Sequence, residues 1–521
     1  MIYLAYSAIF LWLIYAARRT LFLLYFWQLK EYRLDRFLSS VKENRSIVFP
    51  KVIFFPALLW ISFFFVRESG LDYFWQIITI LFYVFLGFIS LVLFFLRKWR
   101  LPKFTLKMAV LCTSVFLVEV ILLLVCAKSF LIFILTLDIF LIFFVSLFVS
   151  VFQLPVFLAK RTIERKAALK VQDAKNLIVI GITGSFGKTS TKEFLYTILS
   201  EKYNCLKTEG NINTKIGIAQ FVLKNLKSEH QVFICEMGAY KIGEIRDICQ
   251  MVKPKIGIIT GINQQHLDLF GSQENIVKAK FELIDALPSA GTAIFNWDND
   301  IVRSKIKALP QDRRTIFCST KEEIGVWSED IAVSKDEISF KVFSKSDKPS
   351  EFKLNLLGAQ NVINVLMAIA CAKELGASIE EIKAGVQLIG PEQGGMKLYR
   401  NKNGVSIIDS SYSANPDGVM AALEYLKTWP KKKILVMPSL IELGAASPEI
   451  HKNIGRTISQ VCDLAIITTK EHFADIAKGA DKILLIESAA DVAYKIKQFV
   501  SEDDVVLLEG RVPVKLLELI K

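Results

Sequence analysis

Long apolar runs are concentrated in the first third of the chain, whereas later apolar runs are short and alternate with polar segments. A helix crosses a bilayer core about 30 Å thick with about 20 apolar residues, within a range of about 17–25. The pattern therefore predicts an α-helical membrane domain over residues 1–165, with about five transmembrane helices. The runs that meet or approach this length are residues 1–17, 52–66, 73–96, 108–127 and 129–159, the last long enough to tilt or to break near Pro155.

The charges between these runs predict an orientation. Basic residues cluster in the first and third loops and after the fifth run, whereas the second and fourth loops carry one basic residue each. Loops rich in Lys and Arg stay on the cytoplasmic side of a membrane. We therefore expect a multi-pass protein of the cell (inner) membrane, with its N-terminus outside and the rest of the chain in the cytoplasm. Arg18 and Arg19 follow the first run instead of preceding it, which argues against a cleavable signal peptide.

Three features of the membrane domain are unusual for a simple anchor. The segment 24–37 is amphipathic and basic, which predicts that it lies along the inner membrane surface. Glu119 and Asp138 fall inside predicted spans, where an ionisable side chain is costly and often functional. Two interpretations of these carboxyl groups stay open. Each lies at a helix interface, hydrogen-bonded or protonated, or each contacts a substrate or a lipid.

The remainder of the chain has the composition of a soluble α/β protein. Residues 1–170 hold 20 Lys and Arg against 8 Asp and Glu, and the later residues hold 44 against 43. The net charge of +13 therefore belongs to the membrane half, and we expect no nucleic-acid partner. The eight cysteines form no C-x-x-C pair, which argues against a zinc ribbon or a disulfide framework.

The stretch GITGSFGKTS, residues 181–190, has the composition of a phosphate-binding loop. The pattern G-x-x-x-x-G-K-[ST] would place its first glycine at Ile182, one residue after the glycine that is present. A predicted strand at 176–180 precedes the loop and a predicted helix at 188–199 follows it. Backbone N–H groups and the helix N-terminus would then face an anion. The alternative is a glycine turn beside a solvated lysine.

Candidate ligands follow two further predicted strands. The run 231–238 contains Glu236 near its end, and the run 255–262 is followed by His266. Ligands of open α/β sheets bind outside the carboxyl ends of the strands, so both side chains would share one rim with the loop. A hard cation with phosphates suits such a rim. For His266 by itself, the alternative is an ordinary loop histidine.

Several motifs occur in order along the second part of the chain. They are TGSFGKTS (183–190), TEGNINTKIG (208–217), EMGA (236–239), HLDLFGS (266–272), AKFE (279–282) and GAQNVINVLMA (358–368). This set resembles the Mur ligase family, and most closely the MurF type, which adds D-alanyl-D-alanine to a muramoyl tripeptide. The resemblance covers roughly residues 175–521, and the family's own loop, T-G-[ST]-x-G-K-T, accounts for the displaced glycine.

The resemblance implies a fold and a chemistry. A P-loop central domain with a mostly parallel sheet would cover residues 170–393, and a Rossmann-like C-terminal domain would cover 394–521. The motifs DSSYSANP (409–416), IELG (441–444) and EGR (509–511) match landmarks of the latter. The family forms an amide from a carboxylate and an amine, using ATP and Mg²⁺, through an acyl phosphate.

The resemblance also implies the site residues. The catalytic set is Lys188, Glu236, His266 and Lys280, and Lys280 matches a lysine that the family carbamylates; a solvated helix lysine is the alternative. The metal ligands would be Thr189 and Glu236 for one ion and His266 for a second, with Lys280, if carbamylated, as a further ligand. The ATP-binding set is Gly184, Ser185, Gly187, Lys188, Thr189, Ser190, Asn296, Asp298, Asn361 and Asn364. The substrate-binding set is Asn211, Asn213, Tyr412, Asn415 and Arg511.

Three positions depart from the family pattern, and all bear on how the C-terminal domain holds ATP. Gly395 replaces an arginine, so Lys397 or Arg400 would have to reach the nucleotide instead. Ser410 replaces an aspartate, and Gln360 stands where a histidine is usual.

The family's N-terminal domain, which holds the UDP end of the substrate, has no room here, because only about 15 residues separate Lys160 from the strand at 176. The substrate is then lipid-linked, or the helices only anchor the enzyme beside other cell-wall synthesis proteins. The sequence predicts a membrane-anchored ATP-dependent amide ligase of peptidoglycan precursor synthesis, with a muramoyl peptide, an amino-acid or dipeptide amine and membrane lipid as partners. A ligase for another acid and a catalytically impaired nucleotide-binding scaffold remain alternatives.

Overall fold

The chain divides into two compact units, residues 1–161 and residues 162–521. The computed structural model describes residues 2–30, 32, 34, 37, 38, 41, 54–66, 71–126, 129–307, 313–345, 347–411 and 414–521.

The described residues of the first unit are largely helical, and among them four helices are long and apolar enough to cross a membrane. Its helices are α1 (Ile2–Leu29), α2 (Phe54–Val66), α3 (Asp72–Phe95), α4 (Leu106–Val125) and α5 (Phe130–Asp173), of which α5 continues into the second unit. The span predicted at 52–66 is described only as the 13-residue α2, which is shorter than a bilayer core requires. Pro155 lies inside an unbroken α5, so the predicted break is absent from this described helix.

The predicted surface helix at 24–37 needs correction. Residues 24–29 belong to α1, which continues past its expected end at residue 17. The apolar pattern of Leu21–Leu29 carries the helix on, because the intervening Arg18 and Arg19 are good helix formers and do not stop it. Several positions of the segment beyond Lys30 lie outside the described residues.

The carboxyl groups of Glu119 and Asp138 both contact other helices of the first unit. Asp138 of α5 pairs with Arg19 of α1, and it accepts hydrogen bonds from the hydroxyls of Tyr15 and Tyr83 at 3.4 and 3.5 Å. Glu119 of α4 accepts a hydrogen bond from Thr20 at 2.9 Å. Both carboxyl side chains are buried. This arrangement favours the helix-interface interpretation, and contact with a lipid or substrate stays untested.

The central part of the second unit contains a nine-stranded sheet of order β2-β3-β1-β4-β5-β6-β7-β8-β9. The strands up to β7 pair in parallel, and β7, β8 and β9 form an antiparallel meander. The strands are β1 (Ile178–Thr183), β2 (Cys205–Lys207), β3 (Val232–Glu236), β4 (Ile256–Ile259), β5 (Thr292–Asn296), β6 (Arg314–Ser319), β7 (Val326–Val333), β8 (Ile338–Ser344) and β9 (Asp347–Leu354). The helices are α6 (Lys188–Leu199), α7 (Lys215–Asn225), α8 (Glu244–Val252), α9 (Leu267–Phe270), α10 (Gln273–Asp285), α11 (Asp300–Ile306), α12 (Gln360–Glu374) and α13 (Ile379–Gln387).

Helices cover both faces of this sheet, which is why its strands read as continuous apolar runs. Val179 of β1 packs into one hydrophobic core, and Ile180 and Ile182 pack into the other. The strands predicted at 176–180, 231–238 and 255–262 are confirmed, as is the helix at 188–199.

The last part of the chain forms a six-stranded sheet of order β10-β11-β15-β12-β13-β14, parallel except for the edge pair β10–β11. Ile408 and Leu507 pack into one core, and Ile407 and Val506 pack into the other. The strands are β10 (Lys397–Arg400), β11 (Ser406–Ser410), β12 (Lys433–Met437), β13 (Leu464–Ile467), β14 (Ile483–Leu485) and β15 (Val505–Glu509). The helices are α14 (Pro416–Leu426), α15 (Ser447–Val461), α16 (Phe473–Ala477), α17 (Ala489–Phe499) and α18 (Val514–Ile520), with 3-10 turns at Pro391–Gly394 and Gly444–Ala446.

The predicted fold class is therefore confirmed: apolar helices precede an α/β region with two mostly parallel sheets. The domain boundaries at residues 165, 170 and 393 stay predictions. In both sheets the carboxyl ends of the parallel strands lead into the segments that carry the predicted site residues.

Candidate active site

The phosphate loop connects β1 to the N-terminus of α6, and two of its glycines are required by close contacts. A Cβ on Gly184 would lie 2.1 Å from the Thr260 hydroxyl oxygen. Gly187 has a φ of +76°, and a Cβ there would lie 2.6 Å from Oδ1 of Asn364. No side chain fits either position without movement of the surrounding residues. The loop therefore presents its backbone to the space in front of α6, as a phosphate site requires.

Lys188, the first residue of α6, folds back over the loop and donates a hydrogen bond from Nζ to the Ser185 carbonyl oxygen at 3.2 Å. Desolvation lowers the pKa of this ammonium group, and the negative charge of Glu236 opposes that shift. Ser185 is held from the other side, where its Oγ accepts a hydrogen bond from the Asn263 N–H at 3.2 Å. Ser190, also predicted to bind ATP, lies on the first turn of α6.

Glu236, at the end of β3, contacts three polar side chains through its carboxylate. Its Oε2 accepts one from the Thr189 hydroxyl at 3.0 Å, and its Oε1 accepts one from the Asn213 amide at 3.1 Å. Lys192 Nζ lies 3.3 Å from Oε2 and also donates to the Gly210 carbonyl oxygen at 2.9 Å. The structure thus brings together a predicted metal pair, Thr189 and Glu236, and a predicted substrate residue, Asn213.

Sequence reasoning missed Lys192, whose side chain is completely buried. A signal was available, because Lys192 follows Lys188 by four residues and so lies on the same face of α6. Its charge sits beside the carboxylate that would hold a cation.

The donor set at Thr189 and Glu236 fits Mg²⁺. A hydroxyl and a carboxylate oxygen are ligands that this hard ion accepts, and it usually takes the rest from water and substrate phosphates. Among the residues that the structure describes, no group of three or more His, Cys, Asp and Glu side chains is arranged to hold a metal by itself.

Lys280 is buried on α10, with 4% of its surface exposed. Burial lowers its pKa to about 7; the charge of Lys188 adds to this shift, and Glu244, Glu236 and Glu282 oppose it. A large fraction of the amine is therefore neutral near pH 7, and the neutral amine is the form that reacts with CO₂. Its carbamylation stays a prediction.

His266 lies just before α9, with a left-handed φ of 64°. Its Nδ1 contacts Oε2 of Glu442, which belongs to the segment after β12, and its ring meets the Tyr240 ring edge-on at 5.1 Å. Nearby, Asn263 donates from its amide to Asn415 Oδ1 at 3.1 Å and to Asp417 Oδ2 at 2.5 Å. Asn415 also accepts from the Gly418 N–H and so caps α14. Sequence reasoning did not anticipate Asn263 or Glu442 as site residues.

The predicted adenine and ribose residues already have protein partners. Asn296 and Asn361 are buried and donate to the carbonyl oxygens of Thr260 and Leu357 at 2.7 and 3.0 Å. Asn364 accepts from the Thr191 hydroxyl at 3.3 Å. These asparagines shape the walls near the loop, and their contact with a nucleotide stays a prediction.

Asp298 likewise accepts hydrogen bonds, from Ser319 Oγ at 2.6 Å and from the Thr320 N–H at 2.9 Å. Of the other predicted substrate residues, Asn211 and Arg511 are exposed, and Tyr412 lies outside the described residues.

The structure describes the surroundings of Gly395 and Ser410, two of the positions that depart from the family pattern. A Cβ on Gly395 would be 4.0 Å from the Ser190 hydroxyl, so the missing arginine would have emerged beside the phosphate loop. Ser410 ends β11 directly opposite Glu509 of β15. Glu509 is buried, and its Oε2 has no hydrogen-bond partner within the described part of the chain. Desolvation raises its pKa to about 8, while a hydrogen bond with Ser410 opposes the shift.

Two stretches of the chain match known protein families. Residues 182–372 match the Mur ligase middle domain, and residues 395–512 match the family described as Mur ligase, glutamate ligase domain. Together these two stretches cover more than half of the chain.

Individual relatives share one name, UDP-N-acetylmuramoyl-tripeptide–D-alanyl-D-alanine ligase. The Bacillus subtilis protein is 29% identical over 351 residues, which cover 66% of this chain and 75% of the relative. The Mycobacterium tuberculosis protein is 31% identical over 319 residues, so the chain spans only 61% of that relative's length. The similarity thus lies in the second unit and leaves part of each relative unmatched.

Solved structures agree with these relatives. MurF from Acinetobacter baumannii is similar with a TM-score of 0.64 at 26% identity, over 69% of this chain and 79% of that chain. MurF from Thermotoga maritima, solved in complex with ADP, gives 0.63 at 26% identity, over 69% and 83%. The resemblance drawn from the motifs is confirmed: through its middle and C-terminal domains, the chain belongs to the Mur ligase family of ATP-dependent acid–amino-acid ligases.

Proposed function

We propose that this chain is a membrane-anchored ligase of peptidoglycan precursor synthesis, which adds D-alanyl-D-alanine or a related amine to a muramoyl peptide. The observation that carries the proposal is the hydrogen bond between Thr189 and Glu236 beside Lys188. These residues follow a loop in which neither Gly184 nor Gly187 could carry a side chain without a clash. The relatives that share this region are named as ligases of that substrate pair.

For this reaction the protein must mainly position the reactants and stabilise negative charge. A carboxylate oxygen of the acid attacks the γ-phosphorus of ATP, the bond to the β,γ-bridging oxygen breaks, and ADP leaves. The amine nitrogen then attacks the acyl carbon of the resulting acyl phosphate, inorganic phosphate departs, and the nitrogen gives up a proton. Negative charge builds on the phosphoryl oxygens in the first step, so fixed positive groups and N–H donors must face them beforehand.

The phosphate loop and α6 would supply these N–H donors and positive groups. The loop N–H groups and the Lys188 ammonium would face the phosphates, and Glu236 would be held in place by Asn213 and Lys192. Mg²⁺, when bound through Thr189 and Glu236, would neutralise phosphate charge. Replacement of the family's arginine by Gly395 and of its aspartate by Ser410 would bear on turnover more than on nucleotide binding.

We further propose that the helices of the first unit anchor the ligase at the membrane. Four helices within the described ranges have the length and composition of membrane spans, and the family match begins only at residue 182. The second candidate is a nucleotide-binding scaffold with little turnover, which the replacements at Gly395 and Ser410 favour.

Phosphate release tests the proposal. The full chain, purified in detergent, is supplied with ATP, Mg²⁺, UDP-muramoyl tripeptide and D-alanyl-D-alanine, beside Lys188→Ala and the matched control Lys224→Ala, an exposed lysine on α7. We expect release that requires both substrates, is lost in Lys188→Ala and persists in Lys224→Ala. ATP binding without release, with UDP-linked and lipid-linked muramoyl peptides alike, would favour the scaffold. Release that persists in Lys188→Ala would contradict the assignment of the loop.

A further inference from the structure

The segment after β12 reaches the candidate metal ligand His266 with both a side chain and the backbone. Glu442 Oε2 contacts His266 Nδ1, and the Glu442 carbonyl oxygen accepts a hydrogen bond from the Asp268 N–H at 3.3 Å. Gly444 packs against the Asp268 backbone, where a Cβ would lie 3.4 Å from it. The contact therefore joins a loop of the central sheet to a loop of the C-terminal sheet at several adjacent atoms.

Both residues of this contact adopt an unfavourable backbone conformation. His266 has a φ of 64° and Glu442 a φ of 63°, in the left-handed region that residues with a side chain seldom occupy. Such conformations persist where the surroundings hold them, and they concentrate at functional sites. The surrounding residues therefore hold the backbone in place on both sides of this contact.

Two backbone N–H groups of the segment that carries Glu442 are hydrogen-bonded to side chains. The Ser439 N–H donates to the Thr469 hydroxyl at 2.8 Å, and the Leu440 N–H donates to Nε2 of buried His451 at 3.0 Å. These hydrogen bonds fix the segment from which Glu442 contacts His266. Movement of the C-terminal sheet would move this carboxylate with it.

A histidine that binds a metal through one ring nitrogen usually donates from the other nitrogen to a carboxylate, which fixes the ring and raises its basicity. His266 has this arrangement: Nδ1 faces Glu442, and Nε2 has no hydrogen-bond partner among the residues that the structure describes. We propose that Glu442 is a positioning residue, which orients His266 through Nδ1 so that Nε2 takes a divalent cation. The inference rests on the proposed function, since it assumes that His266 is a metal ligand.

The proposal has a consequence for domain movement. Glu442 lies in the segment after β12 and moves with the C-terminal sheet. Cation binding at His266 and docking of that sheet therefore depend on the same contact. Binding and docking must then strengthen each other by the same factor. A second docking contact, Asn263 with Asn415 and Asp417, does not involve His266 and would hold in either case.

Mn²⁺ provides a test that does not depend on turnover. Its affinity for the full chain in the presence of ADP is measured by electron paramagnetic resonance for the wild type, Glu442→Gln and Glu442→Ala. We expect the affinity to fall about tenfold in Glu442→Ala, and by less in Glu442→Gln, whose amide oxygen still accepts from Nδ1. Glu424→Gln, an exposed carboxylate on α14, is the matched control and should bind Mn²⁺ as the wild type does.

A double-mutant cycle separates positioning from general support. If Glu442 acts through His266, the double variant His266→Ala/Glu442→Ala binds Mn²⁺ no more weakly than His266→Ala. Hydrogen exchange of peptides covering 438–444 should also slow on adding Mn²⁺ and ADP to the wild type, and not in Glu442→Ala.

Additive losses in the cycle, or equal Mn²⁺ affinity in wild type and Glu442→Ala, would overturn the inference while leaving the proposed function intact. ADP affinity measured in a chelator shows whether a variant is folded. A wild type that binds neither Mn²⁺ nor ADP would overturn the proposed function itself.

Discussion

Lys192 and Glu236 form a fully buried ion pair beneath the phosphate loop, with Nζ 3.3 Å from Oε2. The lysine lies on the helix that begins at the loop, and the glutamate ends a neighbouring strand. Because Glu236 also accepts from Thr189 and Asn213, the pair positions the carboxylate that would hold Mg²⁺.

Lys192→Met should therefore impair both stability and activity. Removing one partner leaves a buried carboxylate uncompensated, which costs about 3–5 kcal/mol. We expect a lower thermal midpoint and strongly reduced phosphate release. Lys202→Met, which breaks a partly exposed pair with Glu381, should change stability by less than about 1 kcal/mol. Equal effects of the two substitutions would show that the buried pair has no special importance.

Lys280 should carry a carbamate, and the modification should depend on pH. Its pKa of about 7 means that the neutral amine predominates above that value and is lost below it. We expect a carbamate resonance in the ¹³C NMR spectrum of protein equilibrated with ¹³C-bicarbonate at pH 8, weaker at pH 6. Lys280→Met should lack the resonance, and Lys278→Met on the exposed side of α10 should retain it. A spectrum unchanged by Lys280→Met would contradict the prediction.

Glu509 should make the protein less stable as the pH rises. Its pKa is about 8 when folded and ordinarily 4.5, so between these values the folded state holds a proton that the unfolded state has released. Stability contributed by the neutral form is complete below pH 4.5 and declines as pH rises toward 8.

Glu509→Gln keeps the shape of the side chain without an ionisable group. We expect the variant to exceed the wild type in unfolding free energy at pH 9, by an amount on the order of 1–4 kcal/mol, and to lose this advantage at pH 5. Denaturant titrations at both values measure the difference, with exposed Glu518→Gln as control. An advantage that does not vary with pH would show that ionisation of Glu509 is not its cause.

The pair Arg19–Asp138 should be replaceable as a unit but not singly. Asp138→Asn leaves a buried guanidinium without its carboxylate, so the thermal midpoint in detergent should fall. The double substitution Arg19→Met/Asp138→Leu removes both charges and should recover much of the loss. If the double variant is as unstable as the single one, the carboxyl group has a role beyond the helix interface.

Much of this architecture follows from local pattern. The runs at 176–180, 231–238 and 255–262 are strands and 188–199 is a helix, because burial on both faces demands continuous apolar strands and because a glycine-rich turn precedes the helix. Apolar length likewise predicted the four long apolar helices that the structure describes in the first unit. It misjudged where α1 ends, since helix-forming arginines do not interrupt a helix.

The sequence by itself determined the family, the two α/β sheets, the glycine loop and most of the long apolar helices of the first unit, because each depends on residue type and spacing over short stretches. Only the tertiary structure decided which side chains meet. Lys192 pairs with Glu236, and His266 contacts Glu442, which lies 176 residues later in the chain. Such pairings depend on the strand order and on how two sheets approach each other, and these arise from long-range packing that no local pattern encodes.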